Sequence, residues 1–215
     1  MPTLFSYVVR DDGGSAPNPF WGICTLVICK PKIRRAAQVG DWIAGTGSAR
    51  SPIGNIRDKL VYAMRVTAKL PMREYDAWAQ EYRPEKIPDR RSSDPKRRAG
   101  DALYDFTEDP PLVREGGAHT IDHREHDLSG EYALLSEHFF YFGNQPVALP
   151  EHLLGIVKLG PGHRSRENAP YLEPFVEWLA GLALQPNHLY GKPQKMLLPP
   201  VTGLALTRRS KHRMR

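Results

Sequence analysis

The chain has 215 residues, enough for one domain with a sizeable core, and its 40% hydrophobic content with 20 prolines and 18 glycines predicts a folded, loop-rich protein. Its formal charge of +6 is unevenly spread, because after Glu177 there are seven Lys or Arg and no acid. Two cysteines, no charged-then-apolar leader and no apolar run of membrane-span length argue against a disulfide scaffold or a membrane protein and predict a cytoplasmic chain.

The first segment, LFSYVVR over 4–10, alternates and is rich in aromatic and β-branched residues, which predicts a strand. After the loop RDDGGSAPNPF, the run ICTLVICK over 23–30 is continuously apolar and predicts a strand buried on both faces. Cys24 and Cys29, five apart on it, would point to opposite sides. VGDWIAGTG over 39–47 reads as a Gly-Asp turn feeding a short strand, with Asp41 a turn residue, and KLVYAMRVTAKL over 59–70 as a fourth strand. PMREYDAWAQEY over 71–82 starts with Pro and spaces Tyr75, Trp78 and Tyr82 for a short amphipathic helix.

Residues 83–130 have few periodic apolar positions and form a loop-rich insertion carrying the basic cluster Arg90, Arg91, Lys96, Arg97 and Arg98. YALLSEHFFYFG over 132–143 returns to strand character, and NAPYLEPFVEWLAGLAL over 168–184 has clear helical periodicity. The expected organisation is therefore a single domain over 1–215 with that insertion and a basic tail at 208–215. The tail is either a solvated end or an arm on polyanion phosphate.

The phosphate-cradling loop, the dinucleotide fingerprint, the Cys-x-x-Cys pair and the Gly-x-Ser-x-Gly elbow are all missing, and no cofactor is expected. HTIDHREHD packs His119, Asp122, His123, His126 and Asp127 together, from which a two-histidine, one-carboxylate metal site could be drawn. With no distal ligand to narrow the choice, a polar solvent-facing loop is the favoured reading and no metal is expected. Asp101 in RRAGDALYDF suits the cap of a helix starting at Ala102, or a carboxylate facing a sugar if the neighbouring arginines hold a phosphate backbone.

SYVVRDDGGSAPNPF, CTLVICKPKIRR and VGDWIAGTGS together resemble the second of the nucleotide-modification-associated domain families, and the similarity extends through AMRVTAKL, GDALY and HFFYFGNQPVALP. The strand, basic turn and VGDWI pattern is also similar to the PUA-like group with its EVE and YTH-type relatives. These resemblances imply an α+β fold, a small curved sheet or PUA-like barrel core with flanking helices and long loops, and a pocket for a modified base. DNA carrying modified bases is the implied partner, with no membrane and no obligatory protein partner.

On that basis the expected activity is a phage-defence DNA glycosylase that flips out a hypermodified base, such as glucosylated hydroxymethylcytosine, and leaves an abasic site, since excision needs no cofactor. Asp101 is the first candidate carboxylate and Asp12 the second. Asn18 would hydrogen-bond the base or sugar, while Phe20, Trp21 and Tyr104 would line the pocket, with Trp42 a further aromatic available for binding. Lys30, Arg34, Arg35, Arg97 and Arg98 would hold DNA phosphates. The alternatives are a base-hypermodifying enzyme with a co-substrate and a non-catalytic reader. For each residue a scaffold role stands beside the functional one: Asp12 in a turn, Asn18 fixing the loop, Phe20 and Trp21 in the core, Arg34 and Arg35 in an exposed turn.

Overall fold

The computed structural model describes residues 1–195, so the basic tail expected at 208–215 lies outside the described residues. In chain order the elements are β1 (Leu4–Val9), β2 (Cys24–Leu26), α1 (Pro31–Ala36), β3 (Trp42–Gly47), β4 (Lys59–Arg65), β5 (Ala68–Pro71), α2 (Met72–Tyr82), α3 (Pro95–Arg98), β6 (Tyr104–Asp105) and β7 (Leu112–Val113). There follow α4 (Arg124–Leu128), β8 (Tyr132–Ser136), β9 (His138–Tyr141), β10 (Val147–Ala148), β11 (His163–Arg164), α5 (Leu172–Gly181) and β12 (His188–Leu189). The larger sheet runs β11-β1-β3-β4-β9-β12 with β10 also on β4, and a second sheet runs β2-β8-β5. The larger sheet is open at β11 and β12, so the α+β class holds while the barrel form of the core is not adopted.

Strand alternation decides which residues meet across the layers. Phe5, Tyr7 and Val9 of β1 share a face with Ile43, Tyr62, Met64, Phe139 and Tyr141, and pack on Cys24, Leu26, Ile33 and Leu134 from the second sheet and α1. Leu4, Trp42, Ala44, Ala63 and Phe140 occupy the opposite face, where Phe175 and Leu179 of α5 cover them. A third cluster joins Val27 and Ile28 to Tyr75 and Ala79 of α2 and to Leu103, Tyr104 and Leu135. No helix among the described residues is long and apolar enough to cross a membrane.

Three segments depart from the strand reading for physical reasons. The expected strand at 59–70 divides at Val66 and Thr67, whose amides donate to Asp41 O and Leu135 O, so that β4 and β5 belong to different sheets. The segment 132–143 divides likewise around Glu137, where Ser136 Oγ donates to Arg65 O at 2.6 Å. At 23–30 only Cys24–Leu26 is strand, because Pro31 opens α1 and the chain must turn before it. The turn places Cys29 (φ 61) and Lys30 (φ 44) in the left-handed region. Two consecutive non-glycine residues there cost on the order of 1 kcal/mol each or more, a strain the surrounding structure must hold in place.

Candidate active site

The two carboxylates favoured from sequence are both fully buried. Asp101 accepts hydrogen bonds from Thr25 Oγ1 at 2.6 Å and Tyr75 OH at 2.7 Å. Burial pushes its carboxyl up, and the neighbouring Lys86 ammonium pulls the other way. Lys86 is itself fully buried and driven down to about 8 by that burial, yet it donates to Asn18 Oδ1 at 2.8 Å, Asn18 O at 3.0 Å, Ile23 O at 2.8 Å and Thr25 Oγ1 at 3.0 Å. Asn18 completes the network by donating to Ala99 O at 2.9 Å. No helix begins at Ala102, so Asp101 is not an N-cap; with Asn18 and Lys86 it fastens the opening loop to the insertion. Asp12 sits elsewhere, both its oxygens 2.7 Å from Tyr141 OH, and burial pushes it up to about 6.

The proposed base-contacting and phosphate-contacting residues are also dispersed. Phe20 is buried beside Gly14, where a Cβ would stand 3.0 Å from its ring and 2.9 Å from Pro193. Trp21 is half-buried with φ 67, and its indole nitrogen is buried without a hydrogen-bond partner among the described residues. Arg34, expected to reach phosphate, is fully buried: Nε donates to Cys29 O at 2.8 Å, Nη1 to Tyr132 O at 2.8 Å, and Nη2 to Asp127 O. Its guanidinium lies so close to Gly130 that a Cβ there would collide with it, which makes Arg34 a clamp between α1 and the turn after α4. Arg98 is buried too, donating to Ser92 O and Ser93 O, and Arg97 is half-buried. Arg35 is exposed, 3.7 Å from Glu131, and Lys30 is half-buried with Nζ 4.5 Å from the Tyr7 ring centroid.

The strained turn at Cys29 brings together a set that the sequence reading split between a strand and a solvated loop. His119 Nε2 is 3.5 Å from Cys29 Sγ, and His119 Nδ1 is 2.5 Å from Asp127 Oδ2. Asp127, fully buried, also accepts from Tyr104 OH at 2.7 Å and from the Cys29 amide at 2.9 Å. The His119 ring stacks on His123 with centroids 4.4 Å apart, and His123 Nδ1 is in turn held by the Thr120 amide at 3.2 Å. Burial works to lower His119, but its hydrogen bonds to Asp127 and Cys29 overcome that and hold it up at about 10. Burial likewise works to raise Asp127, and the bond from His119, followed by those from the Cys29 amide and Tyr104, brings it below the usual carboxylate range. Tyr104, expected to stack on a base, is buried and serves as a donor to Asp127.

A thiol, an imidazole and a carboxylate joined in this order form the arrangement of an activated nucleophile, its proton carrier and the group that orients it. Cys29 is half-buried and Cys24 fully buried, so the two thiols differ in access. The segment 119–127 is not a single helix, since a 3-10 turn over Ile121–His123 precedes α4. Among the described residues no group of three or more His, Cys, Asp or Glu is placed to hold a metal ion. A cavity of about 710 Å³ lies on the opposite face of the larger sheet, between Trp42, His138 and Phe140 and the residues Leu172, Val176 and Leu179. The sheet separates it from Cys29, so it is not the pocket of this thiol.

The signals for this site were present but scattered. Lys-Pro directly after Cys29 forbids the strand from continuing, and Asp127 lies eight residues after His119 in a segment poor in apolar side chains. Residues 1–199 match the family model for nucleotide modification associated domain 2. No match was found among curated proteins or among solved structures.

Proposed function

Because the chain belongs to the nucleotide modification associated domain 2 family, we propose that it is a thiol-dependent enzyme of modified nucleotides in which Cys29 attacks, His119 carries the proton and Asp127 orients the imidazole. The observation that carries the reading is the continuous chain from Cys29 Sγ through His119 to buried Asp127, at 3.5 and 2.5 Å. The reaction class is acyl transfer at a substituent of the base. The sulfur attacks the acyl carbon as thiolate, the nucleophilic form. As the bond from carbon to the leaving nitrogen or oxygen breaks, His119 Nε2 gives it a proton, and a thioester remains on Cys29. The neutral imidazole then takes a proton from water or an acceptor amine, which attacks the thioester carbon and releases the sulfur.

Excision of the whole base has less support from the geometry. The excision expected from sequence relies on a carboxylate facing the sugar, whereas Asp101 and Asp12 are both fully buried and satisfied by hydroxyl donors. The test is mass spectrometry of small molecules released from DNAs that carry different base modifications, comparing the wild type with Cys29→Ser. Release of an acid or amine with the base retained, lost in the variant, supports the proposal. A freed base with alkali-sensitive strands, equal in both proteins, would make the enzyme a glycosylase that does not use Cys29. Tight binding with no product would make it a reader.

A further inference from the structure

Two lysines, Lys30 and Lys32, follow the thiol closely in the chain. Lys30 follows Cys29 directly, and its ammonium rests 4.5 Å from the centroid of the Tyr7 ring. Among the described residues no carboxylate comes within ion-pair distance of it, although the group is half-buried and burial lowers its pKa. His163 is paired with Tyr7 across β1 and β11, so its imidazole belongs to the same face of the sheet as the ring that Lys30 covers. Burial first, then the positive charges of Lys32 and Lys30, depress His163, while exposed Glu167 is the acid that opposes them. The His163 imidazole and the Lys30 ammonium flank the Tyr7 ring, and Lys32, in the first turn of α1, adds a second positive charge that acts on His163. A desolvated, unpaired cation is costly in a folded protein, and an anionic ligand relieves that cost.

We propose that Lys30, Lys32 and His163 form a phosphate subsite next to Cys29, so that a nucleotide anchored by its phosphate presents its base substituent to the sulfur. This rests on the thiol reading for its purpose but not for its test. Two lysines and a donor imidazole match the charge and the several acceptor oxygens of phosphate better than a single carboxylate, and the subsite replaces Arg34 as the phosphate contact. The phosphate comes either from a free nucleotide, as a monoester, or from a strand, as a diester.

The experiment compares alkylation of Cys29 in the full chain by anionic iodoacetate and by neutral iodoacetamide; fully buried Cys24 does not compete. Relative to free cysteine, the wild type is expected to favour iodoacetate by about tenfold at low salt, the size of one or two screened charges at close range. Lys32 is exposed, so Lys32→Gln tests the subsite without touching the strained turn, and Lys30→Gln tests its inner member. Each should bring the ratio toward that of free cysteine. A wild-type ratio equal to free cysteine, or a ratio unchanged in both variants, overturns the proposal. Inorganic phosphate and dCMP protecting the wild type alike assign the monoester, and an oligonucleotide protecting at lower concentration assigns the diester; protection by none of them also overturns it. If iodoacetamide reacts no faster than with free cysteine, the catalytic reading fails, and the ratio still decides the subsite separately.

Discussion

Replacing Asp127 by Asn removes the charge on which three donors converge. In the native chain its two oxygens serve His119 Nδ1, Tyr104 OH and the Cys29 amide. An amide has one acceptor oxygen, so if that oxygen keeps the Cys29 amide, its NH₂ faces both His119 and Tyr104. Hydrogen bonds to charged groups contribute roughly 1.5–3 kcal/mol each, so weakening two of them should cost about 3 kcal/mol, or about 6–12 °C in Tm for a chain of this length. The NH₂ also donates to Nδ1, which leaves the imidazole proton on Nε2 and unable to take one from an attacking nucleophile; turnover should fall by roughly 10³–10⁴-fold. His119, now at about 10, should fall toward its ordinary value. Differential scanning fluorimetry reads the first effect, and the pH profile of Cys29 alkylation reads the second. A variant with unchanged Tm and an unchanged profile would refute the reasoning.

The His119 pair also sets a pH window. Its folded value lies above its unfolded value, so its stabilising contribution is complete below about 6.5 and is lost as pH rises through about 10, which a series of urea melts between pH 6 and 11 measures. Asp12 is a carboxyl whose folded value, about 6, is also raised; the folded state therefore binds its proton more tightly, and stability declines as pH rises from about 4 through about 6. Asp12→Asn should flatten that part of the profile and be no less stable than the wild type at pH 7; a variant that keeps the slope would assign it to another group. Asp101→Asn leaves buried Lys86 without its counter-charge and should destabilise by roughly 3–5 kcal/mol, as equilibrium unfolding would record. Arg34→Met should lower Tm sharply while leaving the salt dependence of DNA binding unaltered, and a reduced salt slope would restore Arg34 as a phosphate contact.

Periodicity was enough to place β1, β3, α2 and the central part of the helix expected over 168–184, whose residues 168–171 lie in a 3-10 helix instead, because in these the apolar face is continuous. It failed where one apolar run serves two sheets. Val66 and Thr67 look like strand interior because both are β-branched, but their partners lie in different layers and are distant in sequence. Arg34 illustrates a second limit: a basic residue in KIRR reads as surface, and its burial follows only from three main-chain carbonyls supplied by segments five and about a hundred residues away. The modified-base theme was legible through the opening stretch, whose Asn18 lies next to the Ala16–Pro17 cis bond and whose polar groups turn inward. The thiol site was hidden for a related reason. In the sequence Cys29 reads as strand and His119 as solvated loop, and only the left-handed turn before Pro31 and the fold of 119–127 bring them within 3.5 Å.

The most direct test of the central claim is the rate of Cys29 alkylation by iodoacetamide from pH 4 to 11, in the wild type and in His119→Gln. The account predicts a wild-type reaction faster than free cysteine at neutral pH, with a profile that includes the His119 titration and an advantage lost in the variant. Identical profiles in the two proteins, each following an ordinary thiol, would contradict it.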